Sequence, residues 1–126
     1  MISAKIRSFY SQMMKAFGDR DMARLDQLAD EFIAPNCIWH DPSAPEPYIG
    51  PEGQKQFNRA FVDANTDIKV TTNDMFEAGD SMIWRTSMQF KEIASGNTIH
   101  LCVIEIDRIA GDQLIESWSV MTPGHW

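Results

Sequence analysis

Apolar residues at the start of the chain recur at three- and four-residue steps: Ile2, Ile6, Phe9, Met13 and Phe17. That spacing lays them along one face of an amphipathic helix, and Gly18 stops it. Asp21 can cap a second helix whose inward stripe is Met22, Leu25, Leu28, Phe32 and Ile33, with Pro35 ending it. The chain therefore opens with a helical hairpin. Residues 37–40 read as a short apolar strand. The stretch 41–53 carries Pro42, Pro45, Pro47 and Pro51 beside Gly50 and Gly53, which excludes helix or inner strand and predicts a loop. After Gly53, the positions of Phe57, Ala60, Phe61 and Ala64 mark a third helix.

From Asp67 onward the period changes. Short runs of β-branched and aromatic residues are punctuated by Gly79-Asp80, Gly96-Asn97 and Gly111-Asp112 at hairpin-like intervals. Four antiparallel strands are expected over 68–77, 82–93, 98–109 and 113–121. Helices first and consecutive hairpins afterwards predict an α+β fold, with three N-terminal helices covering one face of a curved antiparallel sheet.

At 126 residues the chain is expected to form one domain, spanning 1–126, around one core. The net charge of −7 is spread through the sequence, which disfavours a phosphate backbone and points away from nucleic acid. No apolar run approaches signal-peptide or membrane-span length, so a cytoplasmic protein without a membrane partner is expected. Cys37 and Cys102 stand alone, without the spacing of a disulfide framework or a zinc site, and read as reduced core thiols. No Gly-rich phosphate loop, nucleotide fingerprint or His-Glu-x-x-His spacing is present, so neither a cofactor nor a metal is expected. Cofactor-free proton transfer is the chemistry that remains.

Asp41 stands at a strand end beside a rigid loop. It is either a half-buried general base or the start of an Asp-Pro turn bonded to nearby backbone amides. Glu105 interrupts the apolar run Leu101-Cys102-Val103-Ile104-Glu105-Ile106, where a carboxyl is costly unless bonded, paired or neutral. Either it is a protonated hydrogen-bond donor inside the fold, or it turns outward and pairs with Arg85 or Arg108. His40 and His100 are the alternative acid-base candidates. Because adjacent strand residues face opposite ways, His40 and Asp41 compete for the interior; His100 reads equally as a partly exposed strand residue. Trp39, Phe57, Phe61, Trp84, Met88 and Trp118 either wall a pocket for a flat, small hydrophobic molecule or simply fill the core.

Several motifs carry a family resemblance over nearly the whole chain. Gly50-Pro51-Glu52-Gly53 opening a helix, the Ala78-Gly79-Asp80 turn, and Asp107-Arg108-Ile109 followed by Leu114-Ile115-Glu116-Ser117-Trp118 resemble the SnoaL-like group. That group includes polyketide cyclases and lies within the nuclear transport factor 2 and ketosteroid isomerase superfamily. The resemblance implies a cone-shaped α+β fold. Locally, Asp41-Pro42, Glu46-Pro47 and Gly50 are similar to the segment of bacterial ketosteroid isomerases that carries their base, which implies Asp41 for that role. Glu105 then falls where those isomerases place the protonated acid of their oxyanion hole. For the tyrosine of that hole, spacing points to Met13, with Tyr10 one turn earlier. The superfamily also implies a homodimer paired through the open sheet face. The expected activity is isomerisation or aldol-type cyclisation of a hydrophobic carbonyl compound; the competing expectation is a non-catalytic binding module or a dimeric scaffold.

Overall fold

The computed structural model describes residues 2–126. Three helices, α1 (Ala4–Gly18), α2 (Met22–Phe32) and α3 (Gly50–Ala64), cover the concave face of a six-stranded sheet. Its strands are β1 (Ile33–His40), β2 (Tyr48–Ile49), β3 (Asn65–Ala78), β4 (Ser81–Glu92), β5 (Thr98–Ala110) and β6 (Gln113–Pro123). They lie in the order β2-β1-β6-β5-β4-β3. The meander is the expected one. The sheet as a whole is mixed, because β1 joins β6 in parallel and β2 pairs antiparallel with β1 at the edge.

Both helices of the hairpin begin where side chains can satisfy orphan backbone donors. The Ser3 hydroxyl accepts from the Ile6 amide, and the Asp21 carboxylate accepts from the Arg24 amide at 3.0 Å; such caps contribute about 1 kcal/mol each. The predicted stripes face inward: Ile6, Phe9, Phe17, Leu25, Leu28 and Phe32 are all buried. At roughly 1.5–3 kcal/mol for each fully buried large apolar side chain, this layer is what fixes the helices to the sheet.

Three boundaries differ from the sequence expectation, each for a local reason. Pro35 does not close α2; it lies inside β1, which starts directly at Ile33. Pairing with β6 is broken between Ile33 and Ile38, and a residue without an N–H is tolerated in that gap. The 41–53 stretch is not loop throughout, since Tyr48 and Ile49 form a short edge strand. Helix α3 starts at Gly50, ahead of Gly53, with Pro51 in its first turn, where the missing N–H would have no partner in any case. Gly50 itself has φ +62°, and a Cβ there would meet the Pro35 carbonyl oxygen at 2.4 Å. Only glycine lets the chain turn into α3 while touching β1.

Two register breaks decide which side chains reach the interior. On β6, Leu114 faces Ile109 and Glu116 faces Arg108, which leaves Ile115 as an extra residue. A one-residue bulge inverts the alternation beyond it. Leu114 is buried, and so are Ser117 and Ser119 further along, while Val120 is exposed. On β3 the break between Thr72 and Asp74 does the same, ahead of Met75.

Candidate active site

Between the helices and the sheet lies a cavity whose wall is almost entirely apolar. Phe9, Met13, Met14 and Phe17 come from α1, Gln54 and Phe57 from α3, and Trp39 from β1; the strands add Val70, Trp84, Thr86, Met88, Val103, Leu114, Ser117, Ser119 and Met121. Glu105 is the single titratable side chain in this lining. The enclosed space is about 80 Å³. That is less than the ~150 Å³ engineered cavity that takes benzene, so a ring-sized ligand enters only by moving side chains or by keeping part of itself in the mouth. Met13, Met14, Met88 and Met121 make the first route accessible, because unbranched thioethers repack at small cost.

Trp39 is held across the cavity by its Nε1–H, which donates to Ser119 Oγ at 2.7 Å, and by edge contacts with Phe57. Behind Glu105 on the same face of β5 sits Asp107, which is fully buried. The Tyr10 hydroxyl, on α1, donates to Asp107 Oδ2 at 2.5 Å. Its ring is wedged edge-on between Phe9 and Trp84.

This cluster has shifted acidities with identifiable causes. Burial holds the Glu105 carboxyl well above the usual carboxylate range, and the Asp107 charge and a hydrogen bond to Asp107 raise it further. Burial also raises Asp107, but hydrogen bonds from Glu105, Tyr10 and Ser117 pull it back. Between the two, their shared hydrogen bond raises Glu105 and lowers Asp107, so a proton is held more tightly on Glu105 than on Asp107. Burial and the charges of Asp107 and Glu105 push the Tyr10 phenol far above its ordinary value, so it remains a donor. Cys37, also close to Asp107, is pushed up by burial to about 11 and stays a thiol.

The sequence candidates divide into those the fold gathers and those it separates. Glu105, Met13, Trp39, Phe57, Trp84 and Met88 meet in the cavity lining. Glu105 faces inward with Asp107, and the outward alternative fails because Arg85 pairs with Asp74 and Arg108 with Glu116. Tyr10 lies behind the lining, tied to Asp107. Phe61 stacks on Phe57 at 5.9 Å and packs against Phe90, backing the wall without entering it. Trp118 lies outside the cavity because the Ile115 bulge turns it to the convex face; there it stacks on His40, with Arg108 over its ring. His40 bonds Glu116 at 2.9 Å on that same face. His100 lies against His125 in a separate polar depression with Lys69 and Gln89. Asp41 is 8% exposed and closes a turn, its Oδ1 accepting from the Ser43 amide at 2.9 Å and the Ser43 hydroxyl at 2.7 Å. It is not among the lining residues.

Asp107 escaped the sequence reading as a site residue, although its signal was present: it is two residues from Glu105 on the same strand, so the two must share a face. Gln54, Ser117 and Ser119 left no comparable signal. Among the described residues, no group of three or more His, Cys, Asp and Glu side chains is arranged to hold a metal ion. Nor is any helix long and apolar enough to cross a membrane.

Comparison with known proteins agrees with this architecture. TsrD from Streptomyces laurentii superposes with a TM-score of 0.77 at 20% identity, covering 96% of this chain and 90% of that one. IdmH from Streptomyces antibioticus, a proposed polyketide cyclase, gives 0.72 at 19% identity, with 92% and 91% covered. A Catenulispora acidiphila protein described as having a ketosteroid isomerase-like fold gives 0.74 at 13%, with 88% and 82% covered. At such identities the likeness shows the fold alone, that of the nuclear transport factor 2-like proteins. No curated protein sequence matches significantly. The family model for SnoaL-like polyketide cyclase, however, matches residues 4–122, nearly the entire chain. Placed on the same α+β cone with an apolar cavity at its centre, the chain belongs to the SnoaL-like polyketide cyclase family.

Proposed function

We propose that the cavity binds a small hydrophobic carbonyl compound and that Glu105, carrying its proton at neutral pH, donates a hydrogen bond to the carbonyl oxygen as negative charge develops there. The observation that carries this reading is the placement of one buried acid, held well above the usual carboxylate range, in an otherwise apolar wall. A neutral carboxylic acid in such a site stabilises an enolate oxygen without reorganising water. The reaction class is cofactor-independent isomerisation or aldol-type cyclisation. A base removes a proton from the carbon beside the carbonyl, and the C–H electron pair moves onto oxygen. The resulting enolate is either reprotonated at another carbon or attacks a second carbonyl, closing a ring. Asp41 is the proposed base; it stands in the turn after β1, outside the cavity lining, so the substrate must extend beyond the cavity to meet it. The Ser43 amide and hydroxyl both donate to Oδ1, which leaves Oδ2 to accept a proton.

A second reading, a binding module without catalysis, draws support from the same turn: an Asp41 fixed by Ser43 has a sufficient structural role. Turnover of a panel of hydrophobic ketones and β-dicarbonyl compounds separates the two. On the catalytic reading, Glu105→Gln lowers kcat by about 10²–10³, the usual loss for one oxyanion donor, and Asp41→Asn abolishes proton abstraction with ligand affinity retained. Full activity in Asp41→Asn removes Asp41 as the base, and ligand binding with no turnover in the wild type leaves the binding module.

The convex sheet face supports a homodimer. Ile104, Ile106 and Val120 are exposed there, and Ile104 pairs directly with Val120 across β5 and β6. An apolar patch of this kind is normally covered by a partner, and a second copy of the chain fits an isologous contact.

A further inference from the structure

Asp107 is held on one side only. Its Oδ2 takes the Tyr10 hydroxyl, while Oδ1 is buried without a hydrogen-bond partner. A buried acceptor left without a donor costs about 1–3 kcal/mol, more when charged. Two neighbours stand beside it: Glu105, on the same face of β5, and the hydroxyl of Ser117, its partner on β6. An ionised Glu105 could donate nothing and would add a second negative charge in an apolar enclosure. A single proton on Glu105 relieves both faults.

The groups facing the pair supply no positive charge. Tyr10 comes from α1, Cys37 from β1 and Ser117 from β6, all neutral, and the cavity lining contains no cation. We propose that Glu105 and Asp107 hold one proton between them, resident on Glu105, and that Tyr10 is a positioning residue that fixes Asp107 as the ionised partner without contacting ligand. The inference rests on Glu105 being the group that meets the ligand, and it explains how that group keeps its proton. When a ligand oxygen arrives, the Glu105 O–H swings from Asp107 Oδ1 to the ligand, and Asp107 retains Tyr10 and Ser117. Because full transfer of the proton would leave two adjacent carboxylates, the dyad makes Glu105 a hydrogen-bond donor that recovers its proton.

The test needs no substrate. Glutamate carboxyl carbons are labelled with ¹³C in the full chain and titrated by NMR, and the carboxylic-acid C=O stretch is followed by infrared spectroscopy. Wild type should retain one protonated carboxylic acid at pH 7, absent from Glu105→Gln. Asp107→Asn removes the neighbouring charge, so Glu105 should titrate at lower pH than in wild type. Tyr10→Phe removes a donor from the ionised partner, so the pair should keep its proton to higher pH than wild type. Opposite shifts from two substitutions in one cluster are what a merely structural role does not produce. An ionised Glu105 at pH 7 in wild type, or no shift in either variant, overturns the proposal. If Asp107→Asn fails to fold by circular dichroism, Tyr10→Phe decides alone: an upward shift supports the dyad and an unchanged titration sinks it. A protonated Glu105 in a protein that turns over no carbonyl compound would refute the catalytic reading while leaving the dyad intact.

Discussion

Replacing Tyr10 by phenylalanine removes one oxygen from the centre of the protein and little else. The ring is 1% exposed and touches Phe9 and Trp84 at centroid distances of 5.2 and 5.1 Å, contacts that phenylalanine keeps. What disappears is the O–H donated to Asp107 Oδ2. A hydrogen bond to an ionised acceptor contributes about 1.5–3 kcal/mol, one to a neutral acceptor about 0.5–1.5 kcal/mol. The cost of the substitution should therefore depend on pH. Both Glu105 and Asp107 are raised above their ordinary values, so the native state holds protons that the unfolded chain has already released. Their contribution to stability is complete below about pH 4, the unfolded carboxylate range, and is lost as pH rises through the folded values. Tyr10→Phe raises the pair further and steepens this loss. Urea unfolding at pH 5 and pH 8 should show the variant about 2 kcal/mol less stable than wild type at the higher pH. At the lower pH, where Asp107 can take up a proton, the gap should narrow by about 1 kcal/mol. A penalty below about 0.5 kcal/mol at pH 8, or one equal at both pH values, would refute the assignment of a charged acceptor to Tyr10.

The Gly50→Ala variant should lose several kcal/mol, seen as a large fall in Tm or as insoluble protein. It combines the ~1–2 kcal/mol cost of a left-handed non-glycine residue with a clash against the Pro35 backbone, which has no flexible end to yield. Near-native stability would show that α3 can start without that contact. Ile106→Asp on the convex face should leave the far-UV circular dichroism spectrum unchanged while shifting the sedimentation coefficient from dimer to monomer at micromolar concentration. A wild type that sediments only as monomer would remove the proposed pairing.

The sequence by itself determined the secondary-structure plan, because periodicity is a local consequence of burial. The i, i+3, i+4 stripes of α1 and α2 and the glycine-centred turns of the meander each report which residues face one core, and no distant partner is needed to read them. It also singled out Glu105 in β5, since a carboxyl in an apolar run stands out whatever surrounds it, while leaving open whether the side chain faces in or out. Three features were decided only by tertiary structure. The parallel docking of β1 on β6 joins segments some eighty residues apart and leaves no mark in either one. The bulge at Ile115 is a single unpaired residue that turns Trp118 out to His40 and Arg108 and brings Ser117 and Ser119 in, so alternation read from the sequence fails beyond it. The Tyr10–Asp107 bond spans ninety-seven residues. Which acid keeps the proton depends on that long-range donor, because strand and period specify a face while only packing specifies who stands opposite.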